Sequence, residues 1–232
     1  MQYFRIMGQE PVKFVIEMGL GACVEEWNIL THCLKDKGGV LVYERAGIGR
    51  SKSSDSLRTP DTIAKELHEL LGTVNHDTKI ILIAHSQGGL YAQQYIRMYP
   101  KEVKGLILEK MVNLKLGWLV KKMMKNAPPL YYAEFSKEDA DAILNSYTNK
   151  EHLKTCYQEY ICAHDKKNLQ GLINKGDFPN IPLTLITHSS KFAIEESMQF
   201  GNNSREFASR IEDMWQGIMK EYLDFSTMST FL

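Results

Sequence analysis

Residues 79–89 read KIILIAHSQGG, and this stretch decides the fold. Lys79 to His85 is a nearly all-apolar run of strand length. That is the type expected in a parallel sheet covered on both faces. From Gly88 the pattern turns helical, running to about Tyr99 and stopping at Pro100. Between strand and helix stands Ser86. A turn this sharp lifts one side chain clear of the sheet and forces its backbone into a strained conformation. It needs small residues two before and two after, which Ala84 and Gly88 supply. The amide of Gln87 then lies at a helix N-terminus, where unpaired N–H groups stabilise a developing oxyanion. The plainer alternative is an ordinary serine in a glycine-rich helix cap. A nucleotide-binding turn would carry G-x-G-x-x-G or a Walker lysine, and neither is present.

Outward from this turn the same alternation repeats. VKFVIEM (12–18), GGVLVYE (38–44), VKGLIL (103–108) and IPLTLITH (181–188) read as strands. Trp27, Leu30, Cys33 and Leu34 fall at helical spacing. Thr59-Pro60 opens a helix through Leu71, with Ile63, Leu67, Leu70 and Leu71 on one face. Glu206 to Tyr222 is a further amphipathic helix. The repetition predicts an α/β fold with a doubly wound, mostly parallel sheet and right-handed crossovers. From Glu109 to about Gly176 the texture is helical throughout. Ser136 with Asp139, and Thr148 with Glu151, read as helix starts of capping-box type. The expected organisation is a core made of 1–108 and 179–232, with 109–178 as a helical cap. The cap is rich in Met111, Leu116, Trp118, Met123, Met124, Leu130, Tyr131, Tyr132 and Phe135. These serve as cap core or as an apolar pocket above Ser86.

Composition narrows the function classes. The chain of 232 residues carries 28 basic and 28 acidic side chains, hence no net charge. A nucleic-acid binder would show a basic excess, and nothing here calls for an anionic membrane partner. No window approaches the roughly 18 apolar residues of a transmembrane helix, and no signal-peptide pattern opens the chain. Cys23, Cys33, Cys156 and Cys162 lack metal-ligand or disulfide spacing, so a cytoplasmic location with reduced thiols is expected.

With these residues in view, IAHSQGG resembles the nucleophile elbow of the α/β-hydrolase superfamily, with Ala84 in place of the commoner glycine. Two more segments are similar to that family. Glu17-Met18-Gly19-Leu20-Gly21 lies where many members carry His-Gly. The resemblance implies that the Leu20 amide is the second oxyanion donor beside Gln87. Tyr43-Glu44-Arg45-Ala46-Gly47-Ile48-Gly49-Arg50-Ser51 resembles the D-x-x-G-x-G-x-S loop, with Glu44 in the Asp position. Its role reads as structural, the glycines making turns and the charges tying loops together.

The family supplies a histidine base oriented by an acid, in chain order serine, acid, histidine. Neither is evident here. His85 reads as pointing into the fold. His152 and His164 belong to the cap, and His32, His68 and His76 to surface helices or turns. His188 ends a strand where relatives place turn residues or the acid. Leu108 runs directly into what reads as a helix at Glu109. The expectation is therefore that an acid-bearing segment is missing at 108/109 and a histidine-bearing segment after Leu232. Glu109, Glu195 and Glu196 are the fallback acids. The resemblance implies a serine hydrolase forming an acyl-Ser86 intermediate with an ester, thioester or amide. Its substrate would be a small molecule with an apolar acyl or aromatic group, and no metal or organic cofactor is implied. The alternative is a non-catalytic member that keeps the fold as a binding module.

Overall fold

The computed structural model describes residues 1–109, 135–165 and 178–232. Among them, seven strands form one sheet in the order β1-β3-β2-β4-β5-β6-β7. They are β1 (Phe4–Met7), β2 (Val12–Glu17), β3 (Gly39–Tyr43), β4 (His76–His85), β5 (Val103–Glu109), β6 (Leu183–Ile186) and β7 (Ser229–Phe231). Among the described residues only β1 is antiparallel, pairing Phe4 with Tyr43 and Met7 with Val40 on β3. Every other neighbouring pair runs parallel.

Helices cover both faces, as the near-continuous apolar strands require. They are α1 (Asn28–Leu34), α2 (Pro60–Leu71), α3 (Gly88–Met98), α4 (Lys137–Thr148), α5 (Lys150–His164), α6 (Ser190–Gly201) and α7 (Arg205–Lys220). On β4 the two-residue period separates the faces. Ile80, Leu82 and Ala84 join one core with Leu67 and Leu71 of α2, Ala92, Tyr95 and Ile96 of α3, and Ile218 and Met219 of α7. Ile81 and Ile83 face the opposite core with Trp27, Leu30 and Leu34 around α1. The α/β reading, with a mostly parallel sheet wound on both faces, therefore holds. Thr59 caps α2 through its hydroxyl and the Thr62 amide, with Pro60 in the first turn.

Several local expectations change. Strand β1 was not anticipated, and β4 starts at His76. Glu109 is a strand residue, not a helix start, because β5 stays in register with β4 through Leu108 and Glu109. Residues 181–188 are strand only over Leu183–Ile186. Helix α7 closes in a 3₁₀ turn, Glu221–Phe225, and the chain then adds β7 beside β6. Helix α5 is capped by Asn149 rather than Thr148, since the Asn149 side chain accepts from the Glu151 and His152 amides. Ser136 caps α4 as expected, accepting from the Asp139 amide. Of the proposed cap, Met111, Leu116, Trp118, Met123, Met124, Leu130, Tyr131 and Tyr132 lie outside the described residues. Among those described, no helix is long and apolar enough to cross a membrane.

Candidate active site

The carboxyl ends of β2, β3 and β4 converge, and the site is built where they meet. Ser86 has φ 52°, a left-handed backbone that costs a non-glycine residue about 1–3 kcal/mol. It is held there from both sides. The Ser86 amide donates to the Glu109 carbonyl at 3.0 Å, and its own carbonyl accepts from the Gly89 amide. The side chain stays half-exposed. Gly88 makes the turn possible: a Cβ there would lie closer than 3.0 Å to the Glu17 and Met18 carbonyl oxygens. Gly19 passes close on the other side, where an added Cβ would lie 3.3 Å from Ser86 Cβ. The loop carrying Leu20 is thus packed directly beside the Ser86 turn. Among the described residues no carbonyl takes a hydrogen bond from the Leu20 or Gln87 amide. The Gln87 side chain turns inward and donates to the Tyr91 hydroxyl at 2.6 Å.

Beneath the turn lies a buried ionic cluster that sequence reading missed. Arg45 uses all five of its N–H donors. Nη1 donates to Glu17 Oε1 and the Met18 carbonyl, Nη2 to the Gly19 carbonyl and Glu159 Oε2, and Nε to Glu159 Oε1. The Tyr43 hydroxyl donates to the other Glu17 oxygen. Arg45, Glu17 and Glu159 are each at most 1% exposed. Burial pushes the Glu17 carboxyl up to about 7, against the opposing pull of Arg45 and Tyr43. Two hints were present in the sequence: the charges of the 43–51 loop, read as tying loops together, and Glu17 standing where relatives carry histidine. Nothing nearby in sequence pointed to Glu159.

Glu44, expected to tie loops, does so: its carboxylate takes Arg50 Nη2 at 2.5 Å and the Arg50 amide at 2.6 Å. Helix α5 closes over both loops with one face. A Cβ on Gly21 would meet Cys156 Sγ at 2.9 Å and His152 Nε2 at 3.3 Å. His152 Nδ1 accepts from the Gly49 amide at 3.1 Å, so the ring must be neutral. Burial lowers its pKa below the usual 6.5, outweighing the opposing pull of Glu159 and Glu44. The unfolded chain therefore binds the proton more readily, and the His152 share of folding stability falls as pH drops below about 6.5. The raised Glu17 carboxyl acts in the opposite sense over the same range, so the His152 share is read as a difference: between pH 7.5 and 5, urea melts should show the wild type losing more stability, or gaining less, than His152→Gln. The same change in both proteins would contradict the assignment.

The other histidines do not converge on Ser86. His32 pairs with Lys35, His68 with Glu102, His76 with the Asp77 carbonyl, His164 with the Tyr160 carbonyl and His188 with Glu212. His85 is not turned wholly inward as expected. Its ring is one-third exposed, sits edge-on to Trp27, and places Nε2 4.0 Å from Glu109 Oε2. Of the fallback acids, Glu195 and Glu196 are exposed on α6. Glu109 lies on the strand beside His85.

The chain is similar to several known proteins. Residues 16–171 match the family described as serine aminopeptidase, S33. The uncharacterised protein YqjL of Bacillus subtilis is 27% identical over 196 residues, which cover 83% of this chain and 69% of that one. An AB hydrolase superfamily protein of Gibberella zeae is 30% identical over 104 residues, covering 44% of this chain and only 32% of its own length. Among solved structures, ALR0039 of Nostoc sp. PCC 7120, a putative alpha/beta hydrolase, superposes with a TM-score of 0.70 at 11% identity. That match covers 98% of this chain and 84% of the other.

Proposed function

Because the chain belongs to the serine aminopeptidase S33 family of α/β hydrolases, we propose that it is a serine hydrolase acting through Ser86 on a carboxylic ester, thioester or amide. The observation that carries the reading is the left-handed Ser86, wedged between the Gly19 loop and the start of α3. Such strain persists only where the surroundings impose it, and it aims the hydroxyl outward at the mouth of the sheet. Ser86 Oγ attacks the carbonyl carbon and its proton passes to a general base, for which the family uses a histidine. The Leu20 and Gln87 amides receive the negative charge on the carbonyl oxygen. The acyl–oxygen bond to Ser86 forms as the alcohol, thiol or amine leaves with a proton. Water then attacks the acyl-Ser86 ester, releases the acid and returns the proton to Ser86. An apolar acyl or aromatic group on the substrate, facing the helical cap, completes the proposal.

One observation favours a second reading, a non-catalytic binding module: six of the seven histidines make their described contacts away from Ser86. A fluorophosphonate probe separates the two. The serine-hydrolase reading expects an adduct that mass spectrometry maps to the peptide holding Ser86. It also expects turnover of p-nitrophenyl esters that rises with acyl-chain length. Complete inertness to the probe would hand the case to the binding module.

A further inference from the structure

The Arg45 guanidinium does more than neutralise two carboxylates. Its Nη2 donates to the Gly19 carbonyl at 2.8 Å, and Nη1 to the Met18 carbonyl at 2.6 Å. The Gly19 carbonyl and the Leu20 N–H belong to one peptide unit. That unit is planar and trans, so the two groups point in opposite directions. Fixing the oxygen fixes the direction of the N–H. A charge-assisted donor on the carbonyl also polarises the peptide, which makes the N–H at its far end a better donor.

Building on the serine-hydrolase reading, we infer that Arg45 is the positioning residue of the oxyanion hole, aiming the Leu20 amide through the Gly19–Leu20 peptide. The rest of the cluster holds the guanidinium to this task. Glu159 of α5 grips it in bidentate fashion at 2.9 and 2.8 Å. Glu17 takes Nη1 at 2.9 Å, and the Tyr91 ring lies 5.0 Å below its carbon. Glycine at positions 19 and 21 leaves the loop backbone little conformational restraint of its own, and Gly21 sits at φ 70°. The restraint comes instead from a side chain on the next loop, held in place by a helix more than a hundred residues further along the chain. Lysine cannot take over this role: one ammonium point charge lacks the fork that reaches two carbonyls and a carboxylate together.

The test uses Arg45→Lys in the full protein, with Leu67→Ala as a destabilised control. Leu67 is buried between α2 and the sheet, away from the loop. The expected result for Arg45→Lys is a kcat lower by roughly 10- to 100-fold with KM little changed, since a misaimed donor is lost in the transition state only. A trifluoromethyl ketone, whose adduct with serine carries an oxyanion, should lose affinity in parallel. Leu67→Ala should lower the melting temperature and leave both readouts at wild-type values per folded molecule. Should Arg45→Lys not fold, Glu159→Gln loosens the guanidinium while keeping the side chain's size, and it should lower kcat several-fold. A folded variant with wild-type kcat and ketone affinity overturns the positioning role while leaving the serine-hydrolase reading intact. A wild-type protein inert to fluorophosphonate overturns that reading, and this role with it.

Discussion

On the proposal that Ser86 is the nucleophile, Ser86→Ala is expected to abolish covalent labelling and to lower kcat by on the order of 10⁴- to 10⁶-fold for a substrate the protein turns over. The size of the loss follows from what remains. The proposed oxyanion donors are the backbone amides of Leu20 and Gln87, so they survive the substitution. Alone they would support only the residual rate that water attack on a bound, polarised carbonyl allows. KM should therefore change little while the acyl-enzyme burst vanishes. Folding should be nearly unaffected, because alanine is no more at home at φ 52° than serine. Ser86→Gly relieves that strain, so it should be more stable than the wild type and equally inactive. Stopped-flow measurement of the burst with p-nitrophenyl esters, alongside urea melts of both variants, gives the comparison. If Ser86→Ala kept more than a tenth of wild-type activity, Ser86 would not be the nucleophile.

The strand, turn and helix around Ser86 were legible because their signals are local. An apolar run, a serine and a glycine pair within eleven residues specify strand, turn and helix before any tertiary contact is considered. The same holds for α2, where Thr59 and Pro60 announce the start and the four-residue period of Ile63, Leu67 and Leu71 supplies the buried face. What escaped was made by partners far apart in sequence. Strand β1 has four half-buried residues and owes its existence to pairing with β3. Strand β7 is shorter still and leans on β6. The Arg45 cluster joins residues 17, 45 and 159, and no periodicity connects them. Glu17 was visible only as a departure from the family's usual histidine. The structure turns that departure into chemistry, since a carboxylate at this position is what holds Arg45 under the Gly19 carbonyl.

Gly88→Ala is the strongest test of how tightly these parts are fitted together. In a sheet-to-helix connection a single methyl group would ordinarily be tolerated, and in a helix it would be favoured over glycine. Here the new Cβ would fall closer than 3.0 Å to two backbone oxygens, those of Glu17 and Met18. Neither is the tip of a flexible side chain. Glu17 ends β2 in register with Ala84 of β4, and the Met18 carbonyl is held by Arg45. Something must shift, either α3 with the Gln87 amide or the β2 end with the Leu20 amide. Both proposed oxyanion donors ride on those two segments. Overpacking of this kind costs about 3 kcal/mol of stability, read as a lower urea midpoint at unchanged slope. On the proposed mechanism, displacing the donors should lower kcat on the order of 10²-fold beyond that, measured on the folded fraction. Gly72→Ala is the matching control: it sits at the end of α2 with φ −62°, and a Cβ there meets nothing closer than 3.4 Å. That substitution should be neutral or stabilise by a few tenths of a kcal/mol and leave turnover unchanged. A Gly88→Ala protein as stable and active as the Gly72→Ala protein would mean that the turn yields freely. The contact between the end of β2 and the start of α3 would then not be what sets the geometry around Ser86.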